Sequence, residues 1–298
     1  MHESSEVRLQ LTNERLHRRL AAFNQTRLAP GGSNVAWRDG LGEEIEHRVL
    51  EDEFVERERQ SVGDGLRNLP RDPDAFVAWF ERLEESGPGQ GDPLFAWLAE
   101  SAPAGALRWF LEQEAAGEAG FDDLVALTQV KLPLRAKLEL ARNYWDEMGR
   151  GDERGMHGPM LGRLTTALGL DTSTERIVLE SLALGNLMIA LGFNRRYAYQ
   201  SIGALGAIEL TAPGRAAEVS RGLKRIGVSG ADRQYFALHA TLDVKHSEAW
   251  NREVLRPLVA ESPELAVPLA EGALLRLSAG ARCFERYRRE LWQLGDVA

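Results

Sequence analysis

Cysteine is almost absent: Cys283 is the one thiol in 298 residues. It can close no internal disulfide, and a cysteine-built zinc or iron–sulfur site is excluded. A reducing, cytoplasmic setting is therefore expected. Long apolar runs are missing as well. No stretch approaches the roughly 18 uncharged apolar residues that a membrane-spanning helix needs. The N-terminus, Met1-His2-Glu3-Ser4-Ser5-Glu6, lacks the basic start and apolar core of a signal peptide. Basic residues are in deficit, 36 against 45 acidic ones, for a net charge of −9. Nucleic-acid binding needs a basic footprint and is not expected. No segment alternates apolar and polar residues as a half-buried strand would, and no solenoid-length repeat is present. What remains is an ordinary globular composition, 44% apolar and 27% charged.

The periodicity of that remainder is helical. Leu9, Leu16, Leu20 and Phe23 mark one face of a first amphipathic helix. A loop is expected at 30–33. A second, highly charged helix over 42–61 has Ile45, Val49 and Phe54 as a thin apolar side. A short helix from Asp74 turns Phe76, Trp79 and Phe80 inward and ends in the Gly-rich run 86–91. Longer helices are expected over 104–118, 122–130, 134–148, 160–168, 173–190, 195–209, 214–224, 232–250 and 263–292, the last kinked near its start by Pro268. The chain is thus expected to be all-α, an N-terminal helical extension (1–99) on a helical bundle (100–298). The thin apolar faces of the first two helices suit packing on the core or on a second copy, giving a homodimer.

Six histidines are present. His2, His17 and His47 fall in the charged N-terminal helices and read as solvated. The other three stand near carboxylates. On a helix, His239, Asp243 and His246 fall within about 60° of one another, with Phe236, Leu242 and Trp250 flanking the same side. Three inward polar groups are costly unless they bind something. Imidazole with carboxylate is a donor set that suits iron. His239 and His246 lie about 10 Å apart along the axis, so two ions fit the stripe better than one. Glu147 shares an inward face with Leu140, Asn143 and Tyr144, while Asp146 and Glu139 lean outward. Gly149-Arg150-Gly151 breaks that helix, and His157 opens the next. Glu209 ends a helix of small apolar residues in which Gly203 and Gly206 permit close approach. Buried there, it needs a partner.

Taken together, Glu147-x9-His157, Glu209 and His239-x3-Asp243-x2-His246 resemble the heme-oxygenase-like di-iron oxidases and oxygenases over roughly residues 100–295. The resemblance implies a heme-oxygenase-like bundle around two Fe(II)/Fe(III) ions that use O2. It further implies that Glu147, His157, Glu209, His239, Asp243 and His246 are metal ligands. The Glu-x9-His spacing is closest to the N-oxygenase branch, which hydroxylates amine or guanidine nitrogens. That branch can carry a C-terminal cupin domain; the sequence stops at Ala298 and no cupin is expected. The family usually supplies one more carboxylate from the first core helix. Helical phase favours Glu114, which shares a face with Leu107, Phe110 and Leu111, with Glu118 as alternate and Glu112 outward. Asp122 and Asp123 read as caps of the following helix.

The expected function is therefore a non-heme di-iron oxygenase acting on a small amino-acid-derived molecule, first by N-oxygenation. Carbon–carbon cleavage, oxidative decarboxylation or desaturation by a di-iron oxidase is the second reading. No reductase, flavin or ferredoxin segment is visible, so an external electron donor is expected. Phe236, Leu242, Ile208 and Leu161 would wall the site, and Arg195 or Arg196 could hold a substrate carboxylate. Asn186 and Glu180 are polar in an apolar helix. A non-enzymatic helical interaction protein is the alternative of another class, but it has no need of an inward polar stripe. A heme protein would need one proximal histidine, not three with carboxylates.

Overall fold

The computed structural model describes residues 5–31, 38–117 and 120–293. Among them run α1 (Ser5–Leu28), α2 (Leu41–Ser61), α3 (Pro73–Glu81), α4 (Leu83–Ser86), α5 (Pro93–Glu100), α6 (Ala104–Gly117) and α7 (Phe121–Thr128). They are followed by α8 (Leu134–Glu147), α9 (His157–Leu168), α10 (Leu179–Phe193), α11 (Ala198–Arg225), α12 (Gln234–Trp250), α13 (Arg256–Glu261) and α14 (Ala266–Gln293). No strand occurs among the described residues; one isolated bridge pairs Met148 with Met156. No described helix is long and apolar enough to cross a membrane.

The chain starts helices where its sequence offers caps. Asp72 accepts the amides of Asp74 and Ala75 ahead of α3, and Asp92 accepts that of Leu94 ahead of α5; each is followed by proline in the first turn. Helix α10 is apolar nearly all round and is buried accordingly. Helix α11 packs against α12, α14 and α5. It does so because it is built of small residues. A Cβ on Gly203 would stand 1.8 Å from the carbonyl oxygen of Leu269, and one on Gly272 of α14 would stand 1.8 Å from that of Gln200. The two backbones therefore touch. The resulting core runs from Leu20 and Phe54 through Phe76 and Phe80 to Leu291, so helices from both parts of the chain share it.

Several expectations needed correction. The helices expected over 195–209 and 214–224 are one helix, α11, which starts at Ala198 after a short turn and has Pro213 buried inside it. Proline has no N–H to donate four residues back, so the carbonyl of Glu209 loses its helical partner. Pro268 lies in the first turn of α14, where the missing N–H had no helical partner to begin with. On α2 the buried side is His47, Glu51, Phe54 and Val55, while Ile45 and Val49 are 64% and 52% exposed. Charge pairing buries that face: Arg27 pairs with Glu51, and Arg19 donates to His47 Nε2 at 3.0 Å. His17 and His47 are buried, not solvated. Glu112 and Glu139 are buried too, Glu112 accepting the amide of Asp171 and Glu139 pairing with Arg142. Part of the expected loop at 30–33, and the whole of His2 and Glu118, lie outside the described residues.

Candidate metal centre

Glu147 is the last residue of α8 and His157 the first of α9. The nine residues between them fold back sharply. Gly149, Arg150 and Gly151 all adopt positive φ, at 60°, 55° and 87°. A Cβ on Gly149 would come 2.4 Å from the carbonyl carbon of Gly155, so glycine is required there on two grounds. The fold-back sets His157 Nδ1 2.6 Å from Glu147 Oε2. Helix α12 crosses α9 and α8 and delivers the other two histidines. The His157 and His239 rings meet edge to face with centroids 4.7 Å apart. Helix α11 contributes Glu209, which is almost completely buried.

These side chains converge in two groups. In one, ligand atoms of Glu147, His157 and His239 lie within 4.8 Å of one another; in the other, those of Glu147, Glu209 and His246 do. Glu147 belongs to both. His239 and His246, seven residues apart on one helix, fall in different groups. Asp243 and Glu114 are in neither, although both line the adjoining cavity. Asp243 instead grips His239, whose Nδ1 lies 3.0 Å from both of its carboxylate oxygens.

Asp146 was expected to lean outward and does not. Its Oδ2 lies 3.2 Å from His246 Nε2, which turns the opposite ring nitrogen, Nδ1, toward Glu209 Oε2 at 3.4 Å. Both α12 histidines are thus held by a carboxylate on one nitrogen, the usual way a protein fixes the tautomer of a ligating imidazole. The helical wheel missed Asp146 because the wheel places it a full step from Glu147 at a helix end. Its signal was the acidic pair Asp146-Glu147 itself. Asn143, one turn back on α8, donates to Glu209 Oε1 at 2.5 Å.

Electrostatics follow from burial. Burial pushes Glu209 up from the ordinary carboxylate value, His246 pulls it down, and Asp243 and Glu147 push it up further. For His246 burial opposes the charge, but Glu209 and Asp146 outweigh it and raise the imidazole. Asp146 stays below its ordinary value, because Arg150 and His246 outweigh burial. Half-buried Asp122 is raised by burial, then by Asp123 and by Glu147. Asp122 lies in the first turn of α7, whose N-cap is Gly120 with no side-chain cap, so the expected capping by Asp122 and Asp123 is not seen; Asp122 stands close enough to feel the Glu147 charge.

The donor set fits iron. It offers carboxylate and imidazole with no thiolate, the mixture that iron shares with other borderline metals. His157 Nδ1 and His246 Nδ1 are buried and make no aligned hydrogen bond, although carboxylate oxygens stand 2.6 and 3.4 Å away. Buried nitrogens facing anions without a bond between them are an arrangement that a cation resolves.

A cavity of about 150 Å³ opens from these groups. Phe236, Ile208 and Leu161 wall it as expected; Leu242 does not. Arg195 and Arg196 are elsewhere. Arg195 donates to the carbonyls of Leu127, Thr128 and Val130, and Arg196 pairs with Asp52 and Glu56. Asn186 ties α10 to α1 through the His17 carbonyl and Asn24. Glu114 is half-buried, accepts the Tyr287 hydroxyl at 3.0 Å, and is raised by burial against the pull of Arg276 and Arg215.

A family model described as iron-containing redox enzyme matches residues 108–281. No curated protein matches the chain. Two crystal structures of a CadD-like protein of unknown function from Nostoc punctiforme PCC 73102 are similar, with TM-scores of 0.57 and 0.55 at 18% and 19% identity. They cover 74% of this chain and 98% and 95% of theirs. A domain of unknown function with a heme oxygenase-like fold, from Shewanella denitrificans OS217, aligns at 17% identity with a TM-score of 0.49, over 74% of this chain and 92% of its own. With that family model, the architecture is an all-α, heme-oxygenase-like helical bundle.

Proposed function

Starting from the fact that the chain belongs to the family of iron-containing redox enzymes, we propose that it is a non-heme di-iron oxygenase or oxidase that uses O2 and an external electron donor. The observation that carries this reading is the position of Glu147, common to two convergent ligand groups. A carboxylate can bridge two ions at roughly 3.5–4 Å. Glu147, His157 and His239 would hold one iron, and Glu147, Glu209 and His246 the other. Asp122, close enough to Glu147 to repel it, is a better placed further carboxylate than Glu114, which Tyr287 and two arginines engage. Asp243 either joins the first iron or fixes His239 for it.

Bound iron would supply the electrons that activate oxygen. The chain's own residues do the rest. Asp243 and Asp146 keep His239 and His246 oriented, and Asn143 holds one oxygen of Glu209 in place. Apolar walls exclude water from the space where substrate meets oxygen. The substrate is a small, amino-acid-derived molecule, and oxygen transfer to an amine or guanidine nitrogen is the first reaction proposed. Hydrogen abstraction from carbon, leading to cleavage, decarboxylation or desaturation, is the second; the apolar lining of the cavity favours it.

Anaerobic titration with Fe(II), followed by metal analysis and Mössbauer spectroscopy, tests the reading. About two irons per chain in a coupled pair are expected; at most trace uptake overturns it. The exposed stripe Leu41, Ile45 and Val49 on α2 supports the further proposal of a homodimer. A monomeric mass at micromolar concentration would remove that part alone.

A further inference from the structure

Helix α8 has a second face, turned away from the metal centre. Leu134, Leu138, Ala141 and Trp145 fall within about 60° of one another around the helix, opposite Ala136, Leu140, Asn143 and Glu147. The inner four are buried and the outer four exposed, Leu134 to 74% and Trp145 to 54%. The other helices that carry converging ligands are unlike this one. Helices α9 and α11 expose no large apolar side chain, and α12 exposes Val244 alone. A contiguous apolar stripe with a polar rim marks a surface that meets something.

The rim is basic. Lys137 flanks the stripe on one side, Arg135 and Arg142 on the other, with Lys131 before it and Arg150 after it. Every exposed charged residue from 129 to 150 is a cation, while Glu139 and Glu147 are buried and Asp146 is half-buried. Arg135, Arg142 and Arg150 each pair with one carboxylate, Glu253, Glu139 and Asp146 respectively. Among the described residues no carboxylate pairs with Lys131 or Lys137. A positive face thus stands out on a chain of net charge −9. Trp145 also rests on the turn that joins the ligand helices, since a Cβ on Gly151 would stand 3.0 Å from its ring. Only the thickness of α8, about 10–12 Å with side chains, separates the stripe from Glu147, the carboxylate common to both ligand groups.

We propose that this face docks a small acidic protein carrying a one-electron iron–sulfur centre, and that electrons reach the metal centre across α8. The inference rests on the di-iron reading for the purpose of docking, but not for whether docking occurs. Each carrier gives up one electron and is itself oxidised, so two deliveries reduce a pair of ferric ions to the ferrous state, one electron to each. Electron tunnelling weakens exponentially with distance, so a donor has to rest where little protein intervenes. Helix α8 is the ligand helix that offers it an apolar seat. A cationic rim steers and orients an acidic partner, and a small stripe lets it go again, as turnover requires. Anionic lipid would match the charge but gives no account of the stripe's place behind Glu147.

The test uses the full-length, metal-free chain and three probes: an oxidised plant-type [2Fe–2S] ferredoxin, which is acidic; cytochrome c, which is basic; and phosphatidylcholine vesicles containing phosphatidylserine. Calorimetry should show micromolar ferredoxin binding at low salt, weakened at least about tenfold at about 0.5 M salt, and no binding of the other two. Lys137→Glu and Leu138→Ser should each weaken ferredoxin binding at least about fivefold with the unfolding temperature unchanged, whereas Ile45→Ser on α2 should not. In the iron-loaded chain, Lys137→Glu should slow reduction by reduced ferredoxin but not reduction by dithionite. No ferredoxin binding at low salt, equal binding of cytochrome c, binding of the vesicles instead, or indifference to Lys137→Glu overturns the proposal. So does a change in the chain's own mass with Leu138→Ser and no loss of ferredoxin binding, which would make the face a contact between copies. Iron uptake is measured on the same samples. A chain that takes up iron but binds no ferredoxin loses the docking face alone; one that binds ferredoxin but takes up no iron keeps the face and loses the metal reading.

Discussion

Two sets of buried histidines occupy this molecule, and they differ in what their ring nitrogens face. In α1 and α2, His47 takes Arg19 on one nitrogen, reaches the Glu43 carbonyl with the other at 2.7 Å, and stacks on Phe23. Everything it needs is protein. Where the acidic and imidazole groups converge, His157 and His246 each keep a buried Nδ1 beside a carboxylate without an aligned bond. Burial alone does not separate the sets, since His17, His47, His157 and His246 are all buried. A satisfied histidine is structure; one aimed at anions with its hydrogen bond unmade is a place for a cation.

The sharpest way to break that contrast is at Glu147. Glu147→Ala should remove both ligand groups at once, lowering iron from about two per chain to below about half an equivalent and abolishing oxygen consumption. Retention of one full equivalent would mean that the groups are independent. Next comes Asp146→Asn, which leaves every converging ligand in place but loosens His246. Metal affinity should fall about 10- to 100-fold, read by chelator competition. His47→Ala is the control on the other side: iron uptake unchanged, stability lower by about 2 kcal/mol in urea. Any loss of iron with that variant would erase the distinction.

The smallest effect concerns acid. Burial first, then Arg57 and Arg282, lower His17 from 6.5 to about 4. Because the unfolded chain protonates more readily than the folded one, this contribution is complete above pH 6.5 and is lost as pH falls toward 4. Between pH 7 and pH 5 the metal-free protein should lose about 2 kcal/mol through this group. His17→Leu should not lose that part. Groups such as His246, raised in the folded state, shift the opposite way in both proteins and cancel in the difference. Identical pH slopes in urea titrations would show that His17 is not held neutral.

Much of the convergence was legible in the sequence: Glu147 and His157 sit at helix ends and His239 and His246 on one stripe, where spacing maps directly to position, while Glu209, expected at a helix end, lies in the middle of α11. Those four residues and Glu209 converge in two groups. What spacing could not convey was who holds whom. Asp243 and His239 are one turn apart and pair with each other, and Asp146 acts from the neighbouring helix. Arg215, which lines the cavity, escaped notice because Pro213-Gly214 reads as a break, and its charge then reads as solvated. Arg276 carried a clearer mark, a charge set among Leu274, Leu275 and Leu277. The faces of α2 were misread because periodicity counts apolar residues, whereas this helix buries an ion pair.

The backbone contact at Gly203 and Gly272 has a consequence for how such a pocket can change over generations. Helix α11 carries Glu209 on one side of that contact's reach and Arg215 farther along; α14 carries Arg276 and Tyr287. Like the rivet of a pair of shears, the contact pins the two blades at a single point. Any larger residue there would force them apart and shift the cavity lining that each helix carries. Descendants of this chain are therefore steered toward swapping Phe110, Met188, Ile208 or Phe284, which reshapes the space in between. The lining can drift while the frame that carries Glu209 stays the same.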